Sequence, residues 1–218
     1  MRINTLLGAS LLACALAGTS AARAAEPEVL ATTGRDSILA CATCHGADGG
    51  GVGTFPRLAG MNAAYLQKQL GDYESGSRMN GVMQPIAKAL TAEERAGISG
   101  YYAAMPIPPA KAGQAPPHTD PDSPGASLAL RGKWSAGVPA CVQCHGPGGI
   151  GVGDAFPAIA GQPATYIADQ LRAWQAGTRK NDPIELMRHL SANLDESEIR
   201  AVSEWFALQP AASPGDSR

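Results

Sequence analysis

Cys41-Ala-Thr-Cys-His-Gly46 is the most informative segment of this chain, and it returns one hundred positions later as Cys141-Val-Gln-Cys-His-Gly146. A Cys-x-x-Cys-His segment is the attachment motif of c-type haem. The two thiols add to the porphyrin vinyl groups, and the histidine that follows ligates the iron. One helical turn presents both sulfur atoms to one edge of the porphyrin. The sequence therefore predicts two covalently attached haem c groups, with His45 and His145 as iron ligands.

Two other chemistries also use paired cysteines. A thioredoxin-like redox site would need a neighbouring strand and does not require a histidine after the second cysteine. A zinc site would need two cysteine pairs close together in one fold, whereas here they are far apart, Cys41 with Cys44 and Cys141 with Cys144. Every cysteine after residue 25 belongs to one of these motifs. Haem attachment is the favoured interpretation.

The repeat extends well beyond the cysteine motif and indicates a duplicated domain. Five further segments recur in the same order: 51–53 as 151–153, 55–60 as 156–161, 65–70 as 166–171, 76–78 as 177–179, and 99–103 as 203–207. Seven prolines lie between Met105 and Gly125, which is typical of an extended linker. We expect a first domain at residues 26–105, a linker at 106–125, and a second domain at 126–218 with a short flexible tail.

The apolar pattern of both halves favours helices. Residues 65–73 and 166–174 place aromatic and aliphatic side chains at helical spacing. Thr91 with Glu94, and Asp195 with Glu198, are capping-box pairs at the start of each last helix. No segment alternates convincingly at period two, and no hairpin signal is present. We therefore predict an all-α protein in which a few helices of each small half wrap a haem that completes its core.

The N-terminal 25 residues have the pattern of a secretory signal peptide. Arg2 precedes an apolar run, and Ala22-Arg23-Ala24 resembles a cleavage site. Acylation at Cys14 is an alternative that the sequence leaves open. Without Arg2 and Arg23, 15 basic and 19 acidic side chains remain, a net charge of −4. This balance argues against nucleic acid as a partner, and the signal predicts export to the periplasm.

The second axial ligand of each iron is expected to be a methionine. The second half has one, Met187, whereas the first half has four: Met61, Met79, Met83 and Met105. Met83 and Met187 each lie seven residues before a leucine, Leu90 and Leu194, so the repeat selects this pair. Met79 has no counterpart but remains a rival, because the first methionine loop is shorter. A methionine that only fills a gap in the core is the other interpretation.

Two further pairs of residues and one histidine are candidates for a role near the irons. The carbonyl groups of Pro56 and Pro157 are placed to accept a hydrogen bond from the histidine Nδ1–H. Arg78 and Arg179 either pair with haem propionates or are solvated surface charges. His189 would displace Met187 only if the local helix were misjudged, since residues two apart do not share a helical face.

Together these motifs resemble those of class I cytochromes c, and their tandem arrangement is similar to the dihaem cytochromes of the c-four type. The resemblance covers both halves, although the first methionine loop departs from the pattern. It implies a periplasmic electron carrier, soluble or loosely associated with the membrane. Such a carrier takes electrons from respiratory-chain donors and delivers them to a terminal oxidase or another acceptor.

Three functions are compatible with such a chain. A free carrier of single electrons, with both irons closed by histidine and methionine, is the favoured one. A dihaem peroxidase would need an open or displaceable iron position, and the sequence offers no distal acid–base group for it. A subunit docked permanently to a dehydrogenase would have the same fold, and the sequence does not separate it from a free carrier.

Overall fold

The computed structural model of the protein describes residues 24–109 and 120–212. The expected signal peptide up to residue 23, the middle of the linker and the end of the tail lie outside the described residues. Ten α-helices are described: α1 Pro27–Thr32, α2 Ala42–His45, α3 Ala63–Ser75, α4 Met83–Ala89, α5 Ala92–Ala104, α6 Pro124–Arg131, α7 Val142–His145, α8 Ala164–Gln175, α9 Leu186–Ala192 and α10 Glu196–Ala207. None of these helices has the length and apolar character that a membrane crossing requires.

Three of the four longest helices, α3, α5 and α10, begin at a capping side chain. The Asn62 side chain accepts from the Tyr65 amide at the start of α3. Reciprocal capping boxes open α5 at Thr91 and α10 at Asp195, as the sequence predicts. Helix α3 ends at Gly76, whose φ of 83° lies in the left-handed region that favours glycine. The predicted all-α class is confirmed by these elements.

Each half has its own apolar core. In the first half, α5 packs against α1 and α3, and α3 also contacts α4. In the second half, α10 packs against α6 and α8, and α8 also contacts α9. One apolar stripe of the last helix is buried in both halves, with Ile98 and Tyr102 in one and Val202 and Phe206 in the other. The last helix therefore carries the centre of each core.

The expectation that no hairpin is present was wrong for the first half. Strands β1 Gly34–Arg35 and β2 Ile38–Leu39 pair antiparallel around the turn Asp36-Ser37. Asp36 has a φ of 47°, which an aspartate tolerates better than most residues. Strands of two residues are too short to show a period of two, so the pattern was invisible in the sequence. The second half has only a single bridge there, between Lys133 and Val138.

The two halves also join through their backbones. Arg78 and Arg179 form an isolated antiparallel bridge. The Met79 amide donates to the Thr178 carbonyl at 2.9 Å, and the Lys180 amide donates to the Ser77 carbonyl at 2.7 Å. Both segments follow the Gly-x-Arg motif of the repeat, so the same element of each half meets its copy at the interface.

Candidate functional site

In the first half, the histidine of the cysteine motif lies at the end of a single helical turn, α2. His45 is buried, and its Nδ1 lies 2.9 Å from the Pro56 carbonyl oxygen. A carbonyl can only accept, so Nδ1 carries the proton and Nε2 keeps a lone pair. Burial lowers the pKa of the imidazole, and the bond to Pro56 opposes this effect. His45 is therefore a neutral imidazole with Nε2 available to a metal.

The second half repeats this arrangement. His145 ends α7, is buried, and places Nδ1 2.8 Å from the Pro157 carbonyl oxygen. Burial again lowers the pKa of the imidazole. Each histidine also meets a phenylalanine edge-to-face, at 6.2 Å for Phe55 and 6.3 Å for Phe156. The prediction that the proline carbonyl groups accept from the histidines is confirmed.

A glycine loop ties each histidine turn to its proline. The Gly51 amide donates to the His45 carbonyl at 2.8 Å, and the Gly151 amide donates to the His145 carbonyl at 2.7 Å. Both glycines have positive φ, 80° and 90°. A Cβ at Gly51 would lie 2.6 Å from the Phe55 carbonyl oxygen, so no other residue fits there without a shift. The glycines therefore hold the proline carbonyl close to its histidine.

The four described cysteines, Cys41, Cys44, Cys141 and Cys144, are free of disulfide bonds and partly buried. Burial raises the pKa of Cys41, and raises that of Cys141 to about 11. A thioredoxin-like site needs a thiol whose pKa is lowered, which is the opposite of this environment. Two cysteines on one helical turn, next to a buried histidine, are the arrangement that c-type haem attachment requires.

A cavity of about 560 Å³ opens beside the histidine of the second half. Its walls come from α7, α8, α9 and α10, and both Cys141 and Cys144 line it together with His145 and Met187. The rest of the lining is mostly apolar, including Ile167, Leu171, Trp174, Val202 and Phe206. One imidazole nitrogen and one thioether around an apolar cavity match the donor set of a haem. The residues present therefore fit a haem group.

The first half also contributes to this cavity. Met61, Tyr65, Lys68 and Gln69 form part of its lining. The Lys68 ammonium donates to the Asn181 carbonyl at 2.9 Å, which fastens α3 to the methionine loop of the second half. A group bound in the second half would therefore touch residues of both halves.

The structure separates the methionines by their surroundings. Met187, in α9, is partly buried, and its amide donates to Asp182 Oδ2 at 2.5 Å. Met83 opens α4, is partly buried, and its amide donates to Asn80 Oδ1 at 2.9 Å. Met79, the rival, has 58% of its surface exposed. The two methionines paired by the repeat thus share a position at the start of a short helix.

The remaining candidates have other surroundings. Met61 is only 5% exposed and belongs to the core of the first half. Met105 caps the end of α5 and packs against the same core. His189, on α9, is exposed. None of these side chains lies where the repeat places the second axial ligand.

The alternative that Arg78 and Arg179 are solvated surface charges was wrong. Both side chains are buried, with 4% and 8% of their surface exposed. The Arg78 guanidinium lies 4.6 Å from the centre of the Tyr73 ring, and that of Arg179 lies 4.5 Å from the Trp174 ring. Stacking on an aromatic face stabilises a desolvated cation. The two arginines are therefore built into the interface.

Each arginine also reaches across to the other half. The bonds run from Arg78 to Tyr166 Oη (3.0 Å) and Gln170 Oε1 (2.5 Å), and from Arg179 to Tyr65 Oη (3.2 Å) and Gln69 Oε1 (3.2 Å). These acceptors are neutral hydroxyl and amide oxygens. In the sequence, the tyrosine and the glutamine are recognisable only as residues that recur in both halves, four positions apart on one helical face. Their role at the interface depends on how the two halves pack.

Two buried residues were missed by the sequence analysis. Arg57 is 3% exposed and Gln162 is 2% exposed, and they bond to each other across the interface. One signal was available in the sequence. Arg57 stands opposite Ala158, and Gln162 opposite Met61, in segments that the repeat otherwise preserves.

Comparisons with known proteins agree with these sites. The family model described as Cytochrome c matches residues 31–105 and 129–207. The thiosulfate dehydrogenase electron acceptor of Stutzerimonas stutzeri (strain A1501) is 48% identical over 191 residues, which cover 85% of this chain and 87% of the relative.

Two solved structures are also similar. Reduced recombinant cytochrome c4 from Pseudomonas stutzeri has a TM-score of 0.69 and 33% identity, covering 78% of this chain and 93% of that chain. The thiosulfate dehydrogenase of Marichromatium purpuratum has a TM-score of 0.76 and 43% identity. The match covers 84% of this chain but only 40% of that longer one. Two tandem haem domains, with two covalently bound haem c groups, are thus supported by family and structure. The chain belongs to the cytochrome c family, as a dihaem electron-transfer cytochrome similar to cytochrome c4.

Proposed function

We propose that this protein is a periplasmic carrier of single electrons in which each half holds one haem, with both irons closed by histidine and methionine. The cavity that brings His145 and Met187 together with the second cysteine pair is the observation that carries the proposal. The repeat extends the same arrangement to His45 and Met83. Export to the periplasm is supported by the signal-peptide pattern of residues 1–25.

The residues have separate tasks in this account. Cys41 and Cys44 anchor one haem, and Cys141 and Cys144 anchor the other. When bound, each haem supplies an iron that exchanges one electron between the ferric and ferrous states. His45 and His145 present Nε2 to the irons, because the proline carbonyl groups fix their tautomer.

The methionines close the opposite side. A thioether ligand stabilises the ferrous state relative to a second nitrogen ligand, which raises the reduction potential. Two observations support Met83 over Met79 as the ligand. Met83 is partly buried, whereas Met79 is exposed. The Met83 amide also donates to Asn80 in the same way as the Met187 amide donates to Asp182. With both positions closed, water and small molecules are kept from the irons. A carrier, and not an enzyme acting on a small molecule, is the function that this coordination supports.

Arg78 and Arg179 would hold haem propionates. Both guanidinium groups are buried, and their recorded side-chain acceptors are neutral oxygens. A buried cation without an anion is costly, so a carboxylate from the cofactor would stabilise each one. This supports the propionate interpretation that the sequence left open.

The electron donor that we propose is a thiosulfate dehydrogenase. One relative with 48% identity is named as its electron acceptor, and a similar domain forms 40% of a thiosulfate dehydrogenase chain. The acceptor of the electrons is then a terminal oxidase or another redox protein. Both a free carrier and a docked subunit are compatible with this donor.

A stopped-flow experiment tests the proposed donor. The oxidised holoprotein is mixed with a thiosulfate dehydrogenase and thiosulfate, and the haem absorbance is followed. We expect reduction of both haems with the complete mixture, and none when either the enzyme or thiosulfate is left out. If chemical mediators reduce both haems but the enzyme does not, the carrier function stands and the proposed donor is wrong.

A further inference from the structure

The two halves differ where their proximal loops meet. The motif Phe-Pro-x-x-Ala-Gly is common to both, but its third position is Arg57 in one half and Ala158 in the other. The position after the motif is Met61 in the first half and Gln162 in the second. These four residues form one buried cluster, with exposures between 2% and 6%. An asymmetric contact is therefore built into an otherwise repeated site.

The Gln162 side chain bonds to two peptide groups of the first half, those on either side of the Arg57 Cα. Its Oε1 accepts from the Arg57 amide at 2.9 Å, and its Nε2 donates to the Arg57 carbonyl at 3.0 Å. Its Nε2 also lies 3.5 Å from Met61 Sδ. The amide that Gln162 accepts from belongs to the Pro56–Arg57 peptide, whose carbonyl oxygen accepts from His45 Nδ1 at 2.9 Å. A continuous chain of hydrogen bonds thus runs from His45 to Gln162.

Such a chain of hydrogen bonds changes the strength of His45 as a metal ligand. Hydrogen bonds in series polarise one another, so an acceptor on the peptide N–H makes the carbonyl oxygen of the same peptide more negative. A stronger acceptor at Nδ1 raises the basicity of Nε2 as a metal ligand. A more basic ligand stabilises the ferric state and lowers the reduction potential.

The proximal loop of the second half faces a different residue. The counterpart of Gln162 by the repeat is Met61, in the first half, and a thioether sulfur is only a weak acceptor. Arg57 adds a separate anchor, since its Nη1 donates to the Ala59 carbonyl at 2.5 Å and its Nη2 to the Ala160 carbonyl at 3.2 Å. These bonds link the two proximal loops next to the Gln162 contact.

We propose that Gln162, a residue of the second half, is a positioning residue for His45 and lowers the reduction potential of the first haem relative to the second. The inference rests on the proposed function, because it requires His45 to ligate iron. Its effect on a histidine is specific to His45, since Pro157 and His145 have no glutamine at the matching position. Gln162 also lines the cavity of the second half, so the Hδ1 resonances of the two histidines separate this effect from a direct contact with the second haem.

The test uses Gln162→Met, which installs the residue that the chain carries at position 61. In the one-electron-reduced holoprotein, we expect the ratio of electron occupancy on the first haem to that on the second to rise roughly threefold. A change of this size corresponds to the free energy of one modest hydrogen bond. The Hδ1 resonance of His45 in the NMR spectrum of the reduced protein should move upfield, while that of His145 stays in place. Spectroelectrochemistry, with the haems assigned by NMR, provides the electron distribution.

Two variants serve as controls. Met61→Leu removes the sulfur contact of Gln162 but leaves its bonds to Arg57, so the Hδ1 resonance of His45 should stay unchanged. This resonance is the readout for the control, because Met61 also lines the cavity of the second half. Gln162→Glu keeps an acceptor for the Arg57 amide. It should therefore leave the first potential at or below its original value, opposite to Gln162→Met, and it tests the inference independently if Gln162→Met folds poorly.

A change in packing would give a different result from the one expected for the hydrogen-bond chain. If Gln162→Met lowers both potentials, the interface has opened to water, which stabilises both ferric haems, and the positioning role is wrong. Unchanged potentials would also refute it. If the proposed function itself is wrong, the original protein will already lack two covalent haems or will lack His45 as an iron ligand.

Discussion

The two halves of this molecule agree closely around the histidines and differ elsewhere. His45 and His145 make the same bond to a proline carbonyl, at 2.9 and 2.8 Å, and meet a phenylalanine at nearly the same distance. The methionine loops, the segments before the cysteine motif, and the contact of Arg57 with Gln162 are different. The shared part is what a haem needs for attachment. The different part is where we expect each half to adjust its ligand geometry, stability and potential.

The methionine loops show the first difference. Asn80 lies three residues before Met83, whereas Asp182 lies five residues before Met187, and in both loops the side-chain oxygen accepts from the methionine amide. The two loops therefore differ in length but place a side-chain oxygen next to the methionine amide in the same way. In the second half, Glu185 takes up the extra chain with a φ of 55°, in the left-handed region. The local bond is preserved, although the register of the sequence is shifted.

Loss of an axial ligand is expected to have the largest effect, and it tests whether the two methionine loops are equivalent. A thioether on ferric haem gives a weak near-infrared charge-transfer band. We expect Met83→Ala and Met187→Ala each to remove about half of this band and to lower the potential of one haem only. The opened iron should also bind carbon monoxide rapidly, whereas we expect the original protein to bind it slowly or incompletely.

Met79→Ala is the matched control for the first half. Because 58% of the Met79 surface is exposed, we expect this variant to keep the full band and both potentials. If Met79→Ala removes half of the band and Met83→Ala leaves it intact, the pairing of the two loops is wrong. The assignment of Met187 would be unaffected, since no other methionine lies in the second half.

The capping boxes show a smaller difference between the halves. Glu94 has a side chain only 1% exposed and is bound by Arg35 Nη2 at 2.5 Å. Its counterpart Glu198 is 25% exposed and is bound by Lys133 Nζ at 2.7 Å. The Arg35 guanidinium, with help from the Ala25 and Thr91 amides and against the effect of burial, holds the pKa of Glu94 at about 2. A planar guanidinium forms two parallel bonds to the carboxylate, which an ammonium cannot.

We therefore expect Glu94→Gln to destabilise the holoprotein by about 2 kcal/mol at pH 7, and Glu198→Gln by about 1 kcal/mol or less. The folded pKa of Glu94 lies below its ordinary value, so its contribution is complete above pH 4.5 and is lost as the pH falls toward 2. Guanidinium unfolding of the variant and the original protein at pH 7 and pH 3 measures this. A penalty that is equal for both glutamates, or that grows at pH 3, would contradict the account.

The sequence predicted most of what is local. The cysteine turns, the capping boxes at Thr91 and Asp195, and the bonds from histidine to proline all depend on residues fewer than fifteen positions apart. Such spacing is visible in the sequence because the covalent geometry of a turn fixes which atoms can meet. The hairpin at residues 34–39 was missed because its strands are too short to have a pattern.

The contacts between the halves were out of reach for a different reason. Arg57 and Gln162 are 105 positions apart, and nothing in their own segments identifies the partner. The same holds for Arg78 and Arg179, whose burial depends on how α3 and α8 meet. Long polar side chains are usually exposed, so the sequence favours a surface position until the packing is known. The breaks in the repeat were the one available signal for Arg57 and Gln162.

The central claim is that each half holds one haem through its own cysteine pair. Acid–acetone extraction followed by peptide mass spectrometry of the purified holoprotein tests it most directly. The account predicts that no haem is extracted and that two separate peptides, one with Cys41 and Cys44 and one with Cys141 and Cys144, each carry the added mass of one haem. Extractable haem, or haem on only one of the two peptides, would contradict it.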